Sequence, residues 1–186
     1  MSSLGTLLSQ CQSGDPRSQR ALYDLFRPKV FGLCRRYTRR REEAEDVFQE
    51  AFIRIFQNIN QVHDAEHLEP WIRRITVNAA VSYYHKNKRH QIVQDVADDG
   101  VQQTSDDYVL ILSKFCDEQV VEMIEALPDG YRLVFNLYEL EGYSHSEIAS
   151  MLSITESTSR SQLNRAKQAL KSRLKAIGVE KYEKYA

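Results

Sequence analysis

Cysteine, proline and glycine are all scarce in this sequence of 186 residues, which contains three, four and seven of them, respectively. The cysteines, Cys11, Cys34 and Cys116, are odd in number and lack Cys-x-x-Cys spacing, which argues against a disulfide framework and against a thiolate zinc site. No Asn-Gly or Asp-Gly pair lies between alternating apolar runs, so β-hairpins are not expected. Scattered cysteines of this kind fit a protein of the reducing cytoplasm.

A large net charge and a long apolar run are also missing. The formal net charge is −1, so no overall field attracts nucleic acid, and any basic surface must be local. No basic start leads into an apolar run, and no apolar stretch approaches the roughly 20 residues that span a bilayer. We therefore expect a cytoplasmic protein with no direct membrane insertion.

Apolar residues instead recur at spacings of three and four almost throughout the chain, which predicts an all-α fold. Asp15 and Pro16 form an N-cap and N1 pair, which predicts a helix that ends near residue 40. Two further helices are predicted over residues 42–60 and 71–89, separated by a polar loop. The apolar stripe expected on the first helix consists of Leu22, Leu25, Phe26, Phe31 and Leu33.

The composition changes near residue 91, where acidic residues begin to outnumber a single lysine, Lys114. This pattern predicts a flexible acidic linker over residues 91–116. We therefore expect two small helical domains, an N-terminal one over residues 1–90 and a C-terminal one over residues 117–180. The helices predicted in the second domain cover residues 120–127, 131–140, 146–152 and 156–177.

The last two of these helices have the features of a helix-turn-helix. Ser144 and Glu147 form a capping box before the short helix, and Thr155 can cap the long helix that follows a tight turn. The long helix is expected to bury Ser159, Leu163, Ala166, Leu170 and Leu174. The opposite side then carries Ser157, Thr158, Ser161, Asn164, Arg165 and Gln168, flanked by Arg160, Lys167 and Lys171. Hydrogen-bonding side chains among cations suit the major groove of DNA, although a solvated amphipathic helix would also show charge on this side.

The helix over residues 42–60 combines a broad apolar side with an opposite side that is polar except at one position. Asp46, Gln49, Glu50 and Gln57 lie on the polar side, and Ile53 lies among them. An exposed isoleucine in these surroundings suggests a surface for a partner, although a single exposed apolar residue often has no such role.

The helix over residues 71–89 mixes aromatic residues with cations. Bases that leave the stack bind to such surfaces, because aromatic rings stack on them while cations contact the phosphates. Trp71 could equally pack in the core, and the cations near residue 89 could be a solvated helix end. The residues of this mixed pattern are Trp71, Arg73, Arg74, Asn78, Tyr83, Tyr84, Lys86, Lys88 and Arg89.

The sequence also bears on two other classes of function. A regulator that binds duplex DNA through the C-terminal domain would explain only half of the motifs. An enzyme would need a phosphate loop, a nucleophile elbow or a supported pair of carboxylates, and the sequence contains none of these. His63 and His67 have a metal-ligand spacing but lack a convincing third ligand, so we expect no metal, no cofactor and no enzymatic activity.

Several of these motifs together resemble the two domains of extracytoplasmic-function sigma factors of bacterial RNA polymerase. The first domain is matched by Ala44 to Phe52, Pro70-Trp71-Ile72-x-x-Ile75 and Asn78. The second is matched by Leu127-Pro128, Tyr131-Arg132, Glu141 to Ala149 and Thr158 to Ala166. The similarity covers nearly the whole chain in the right order. It implies an alternative sigma factor that binds core RNA polymerase and promoter DNA, directs transcription initiation and is held by an anti-sigma factor.

The resemblance also implies roles for individual residues. The linker would lie in the RNA path of the polymerase, and the loop of residues 61–69 would capture a flipped base of the minus-10 element. Binding to the polymerase would fall to Asp46, Gln49, Glu50 and Ile53. Contact with the minus-10 element would fall to His63, Asp64, Trp71, Asn78, Tyr83, Lys86, Lys88 and Arg89. Contact with the minus-35 element would fall to Ser157, Thr158, Arg160, Ser161, Asn164, Arg165 and Lys167.

Four positions depart from the pattern of the family. Ser153 replaces a glycine, which costs about 1 kcal/mol if the turn requires a left-handed residue. Ser159 replaces a valine, so we expect the packing of the helix-turn-helix to be looser by one buried apolar group, and Ser82 replaces an aspartate. Gln162 replaces an arginine, so we expect the loss of one phosphate contact and weaker binding at moderate salt.

Overall fold

The computed structural model describes residues 3–88 and 122–176, and every regular element in these two ranges is helical. The prediction of an all-α fold is confirmed. Contacts divide the chain into two compact units, residues 1–89 and residues 90–186. The predicted linker at 91–116 lies outside the described residues, as do Arg89 and Cys116.

Unit 1 consists of four α-helices and two single turns of 3-10 helix. The helices are α1 (Ser3–Gln12), α2 (Pro16–Tyr37), α3 (Arg41–Asn58) and α4 (Leu68–Lys88), and the 3-10 turns Ile59–Gln61 and Ala65–His67 connect α3 to α4. The first helix predicted from the sequence starts at Asp15, so α1 is not among the predicted helices, although Leu8 and Cys11 are spaced for one buried side of a helix.

Local chemistry fixes the ends of these helices. The side chain of Asp15 accepts a hydrogen bond of 2.8 Å from the amide of Ser18, and Pro16 occupies the first turn of α2, as predicted. Helix α2 ends at Tyr37, short of the expected residue 40, because the amides of Arg39 and Arg40 donate to the carboxylate of Glu43 and begin α3.

The core of unit 1 forms where α2, α3 and α4 pack together. Tyr23 of α2 lies 4.6 Å from Phe52 of α3, centroid to centroid, and Phe48 completes the aromatic cluster at 4.9 Å from Phe52. One predicted core residue of α2 is misplaced, because Leu25 is 53% exposed while its neighbours Leu22 and Phe26 are buried. The apolar stripe of α2 is therefore narrower than the sequence pattern indicates.

Unit 2 is described from residue 122 and begins with a helical stretch over 122–125. The elements that follow are α5 (Asp129–Phe135), a π-helical turn (Asn136–Leu140), α6 (His145–Leu152) and α7 (Glu156–Ala176). Two arginines secure the first stretch. Arg132, which is buried, donates to the carbonyls of Glu125 and Leu127, and Arg173 of α7 donates to the carbonyl of Ala126 at 2.7 Å. The carbonyls at this helix end are thus satisfied from within the unit.

The turn between α6 and α7 follows the sequence prediction. Oγ of Ser144 accepts a hydrogen bond from the amide of Glu147, and the amide of Ser144 donates to the carboxylate of Glu147 at 2.8 Å, which completes the capping box. Thr155 accepts from the amide of Thr158 at 3.0 Å and caps α7. Ser153, at the end of α6, has φ 55° and ψ 47°, so the turn does require a left-handed residue.

Replacing Ser153 with glycine should stabilise unit 2, because a side chain in the left-handed region is strained and glycine is not. We expect a gain of about 0.5 to 1 kcal/mol in the free energy of unfolding, measured by urea denaturation followed by far-UV circular dichroism. Ser150→Gly, at an exposed position inside α6, is the matched control and should lose about 0.5 kcal/mol. A loss of stability in Ser153→Gly would contradict the strain argument.

Candidate protein and nucleic-acid interfaces

The polar side of α3 is exposed in unit 1, and its apolar exception, Ile53, is exposed with it. Ile53 is 53% exposed, as the helical pattern predicts, and Asp46 and Gln49 are exposed beside it. Glu50 retains 42% of its side-chain exposure and accepts a bond of 2.8 Å from Nε of Arg54. The opposite side of α3 is core, where Val47, Ala51 and Ile55 are buried. We call the four residues Asp46, Gln49, Glu50 and Ile53 the α3 surface.

Arg54 links the α3 surface to α4. Its Nη1 donates to Oγ of Ser82 at 3.3 Å, while its Nε holds Glu50. The same Ser82 hydroxyl donates to the carbonyl of Asn78 at 2.7 Å. An aspartate at position 82 would compete with Glu50 for the guanidinium of Arg54. Because the residue there is a serine, Glu50 is the charged partner of Arg54 in this pair of contacts.

The aromatic and cationic residues of α4 have mixed environments. Trp71 and Tyr83 are half-buried, while Asn78 and Lys86 are exposed. Burial is the main cause that raises the pKa of Tyr83 above its usual value, and the carboxylate of Glu43 adds to it. Trp71 thus has both a packed and an accessible part, which is compatible with core packing and with contact to a base. The side chain of Lys88 lies outside the described part of the chain, with Arg89.

The loop before α4 exposes His63 and Asp64, both predicted to contact the minus-10 element. Asp64 is also the N-cap of the second 3-10 turn, where Oδ1 accepts from the amide of Glu66 at 3.0 Å. The structure places α1 next to this loop, and a cleft of about 450 Å³ lies between them. The sequence alone did not indicate this neighbour.

In unit 2, α7 presents a mostly polar outer side after the capped turn. Ser157, Arg160 and Gln168 are exposed. Four more residues that are predicted to contact the minus-35 element are half-buried, namely Thr158, Ser161, Asn164 and Arg165.

Several of these side chains have partners within α7 or close to it. Arg160 forms an ion pair of 2.8 Å with Glu156, and Oγ of Ser161 donates to the carbonyl of Thr158. Arg165 donates from Nη1 to the hydroxyl of Tyr131 at 3.3 Å, which directs the guanidinium along the surface. Contact with DNA would therefore exchange existing hydrogen bonds for new ones.

Two residues of α7 lie elsewhere than expected. Lys167, predicted as an exposed flanking cation, is 7% exposed and forms an ion pair of 2.9 Å with Glu139. Gln162, predicted to stand where an arginine would contact phosphate, is 5% exposed and packs against Gly130, where an added Cβ would lie 3.1 Å from Nε2 of Gln162. Neither side chain is available to DNA, because the elements that precede α6 cover both of them.

Ser159 is fully buried, and the structure gives its hydroxyl a partner. Oγ of Ser159 lies 2.9 Å from Nδ1 of His145, and the ring of His145 stacks on Tyr138 at 4.5 Å. Burial is the main cause that lowers the pKa of His145, and the positive charge of Arg160 adds to it. The loosening expected from a serine at position 159 is thus offset by a hydrogen bond between α6 and α7.

Neither a metal cluster nor a membrane span is found in the described ranges. Within residues 3–88 and 122–176, no three His, Cys, Asp or Glu side chains come together around a possible metal position. His67 instead lies 4.0 Å from the carboxylate of Asp64. Among the helices described, none combines the length and the apolar character needed to cross a bilayer.

Comparison with known proteins identifies relatives of both units. The family model for Sigma-70 region 2 matches residues 22–90, and that for Sigma-70, region 4 matches residues 117–170, together about two thirds of the chain. The RNA polymerase sigma-H factor of Pseudomonas aeruginosa is 27% identical over 180 residues, covering 92% of this chain and 93% of that protein. The ECF RNA polymerase sigma-E factor of Escherichia coli K12 is 28% identical over 180 residues, covering 92% and 94%.

A solved structure of CnrH in complex with the cytosolic domain of CnrY is also similar to this chain. It has a TM-score of 0.48 and 20% identity, and the alignment covers 92% of this chain and 96% of that one.

Proposed function

Because the chain belongs to the sigma-70 family, as an extracytoplasmic-function sigma factor, we propose that its two units divide promoter recognition between them. A sigma factor binds core RNA polymerase and promoter DNA and directs transcription initiation. Unit 1 docks on the polymerase and recognises and melts the minus-10 element, and unit 2 recognises the minus-35 element. The acidic segment of residues 91–116 acts as the linker between the two units.

The observation that carries this proposal is the exposed Ile53 within the polar α3 surface. An apolar side chain at the centre of a polar rim is the arrangement of a protein interface, in which the apolar centre supplies most of the binding free energy. Asp46, Gln49 and Glu50 supply hydrogen-bond acceptors around it, which suits a partner with basic side chains. Core polymerase is the partner that the family implies.

On the DNA side, the proposal assigns the minus-10 element to the loop and α4, and the minus-35 element to α7. Flipping a base out of the stack costs a few kcal/mol, which a loop pocket and a basic helix together can offset. Residues assigned to the minus-10 element are His63, Asp64, Trp71, Asn78, Tyr83, Lys86, Lys88 and Arg89. Residues assigned to the minus-35 element are Ser157, Thr158, Arg160, Ser161, Asn164 and Arg165.

The proposal includes an anti-sigma factor as a regulatory partner, as the family implies. Catalysis belongs to the polymerase, so this chain acts as a non-enzymatic, cytoplasmic initiation factor. Reconstitution tests the whole proposal: with core polymerase and genomic DNA, sequencing of the transcripts should reveal starts that share one minus-10 and one minus-35 element. Specific binding of duplex DNA by the chain alone, with no effect on the polymerase, would instead support a conventional regulator.

Arg165→Ala should change the preference at the minus-35 element. If the guanidinium contacts a base, the variant loses about 1 to 3 kcal/mol of discrimination at one base pair, measured by transcription from templates randomised at that element. Lys171→Ala, an exposed cation further along α7, is the control and should weaken binding evenly and reduce the salt dependence. An unchanged base preference in Arg165→Ala would argue against the assignment.

A further inference from the structure

Helix α1 ends on the segment that precedes the exposed residues His63 and Asp64. Gln12 is its last residue, and the side-chain amide of Gln12 donates to two backbone carbonyls, that of Ile59 at 3.2 Å and that of Val62 at 2.7 Å. The contacts join positions 47 and 50 residues apart in the chain. One side chain thus uses both of its N–H groups to hold both ends of a single backbone turn.

The turn held by Gln12 determines where the exposed loop begins. The side chains of Ile59 and Val62 are both 3% exposed, and the amide of Val62 donates to the carbonyl of Ile59. Burial anchors the side chains of this turn, and Gln12 anchors its carbonyls. His63 follows Val62 directly, so the direction in which the loop leaves the core depends on this carbonyl.

Helix α1 is itself held firmly enough to act as a support. Leu8 and Cys11 are 4% and 2% exposed, and Oε1 of Gln10 accepts a bond of 2.9 Å from Oγ of Ser18 in α2. The cleft of about 450 Å³ is lined on one side by α1, including Gln10 and Gln12, and on the other by His63, Asp64 and Ala65. A shift of the loop relative to α1 would change the shape of this cleft.

We propose that Gln12 is a positioning residue for recognition of the minus-10 element. By holding the carbonyls of Ile59 and Val62, Gln12 fixes the position at which the loop starts and the direction in which it leaves the core. His63 and Asp64 are thereby placed to meet an unstacked base. Gln12 need not contact the DNA itself. The inference rests on the proposed role of the loop. It gives a part in base recognition to α1, a helix to which no DNA contact is assigned above.

The test replaces Gln12 with methionine, which keeps a similar volume but has no N–H group to donate. Transcription with core polymerase is measured on templates that carry each of the four bases at the minus-10 position that the unmodified chain discriminates best. We expect the ratio between the best and the other bases to fall about 3- to 10-fold, the effect of one or two lost hydrogen bonds. Gln12→Glu cannot donate either, and its carboxylate would repel both carbonyls, so the ratio should fall at least as far.

Two controls distinguish positioning from general loosening. Ser18→Ala removes the hydroxyl that lies within hydrogen-bond distance of Gln10 in α1 and of Asp15, without touching the loop carbonyls, so it should lower the thermal midpoint but keep the base ratio. Affinity for core polymerase and discrimination at the minus-35 element should stay unchanged in Gln12→Met.

Three results would overturn the assignment of Gln12. They are an unchanged base ratio in Gln12→Met, an equal fall in Ser18→Ala, and a fall matched by lost affinity for the polymerase. If the unmodified chain itself showed no base preference at the minus-10 element, the proposed role of the loop would fail first, and the Gln12 assignment would fail with it.

Discussion

Ile53→Asp is expected to weaken the association with core RNA polymerase by about 100-fold, which corresponds to about 3 kcal/mol. The substitution removes the apolar centre of the α3 surface and places a carboxylate beside Asp46 and Glu50, where binding would bury it next to like charges. The affinity can be measured by fluorescence anisotropy with labelled core polymerase. The helical circular-dichroism signal should stay intact, because Ile53 is 53% exposed and contributes little to the fold.

Leu25→Asp is a matched control for this experiment. Leu25 lies in the same unit, on α2, and is also 53% exposed, so the two variants introduce the same charge at equal exposure. We expect Leu25→Asp to bind the polymerase almost normally. Equal losses in both variants would show a nonspecific effect of charge, and normal co-purification of Ile53→Asp with the polymerase would remove the basis for the α3 surface.

The second large effect is expected at the ion pair between Lys167 and Glu139. Their side chains are 8% and 12% exposed, and the two charges lie 2.9 Å apart. Lys167→Met leaves the carboxylate of Glu139 without its cation in a nearly water-free position, which should cost about 3 to 5 kcal/mol of stability. Hydrogen exchange measured by mass spectrometry should show α5 and α7 opening more often while unit 1 stays protected.

The double substitution Lys167→Met with Glu139→Leu tests the reason for that loss. It removes both charges and fills their space with apolar groups, so it should recover most of the stability lost in the single variant. Lys171→Met, at an exposed position one turn along α7, should change stability by less than about 0.5 kcal/mol. If the double variant were as unstable as Lys167→Met, packing and not charge would explain the effect.

The sequence alone predicts the exposure of Ile53 but not the burial of Lys167. The exposure of Ile53 follows from the helical period, because a strongly apolar side directs the opposite side outward whatever the partners of α3 are. The burial of Lys167 does not follow from the period of α7. It depends on the π-helical turn Asn136–Leu140, which places Glu139 against α7.

Helix α1 shows a different limit of the sequence. Its apolar spacing is visible at Leu8 and Cys11, but its role depends on which loop it meets. The contact between Gln12 and the carbonyl of Val62 joins residues 50 positions apart, and nothing in the sequence near either residue indicates the other. Contacts at such separation arise from packing, which local patterns do not encode.

The sequence by itself determined the helical fold and the caps at Asp15, Ser144 and Thr155, and it carried the resemblance to a sigma factor. The helices and their caps depend on residues within about one or two helical turns of one another, where hydrogen bonding and periodicity are local. Only the tertiary structure decided that Lys167 and Gln162 are buried and that Gln12 supports the loop before α4. These features depend on which helices meet, and the free energy of that packing is shared over the whole unit.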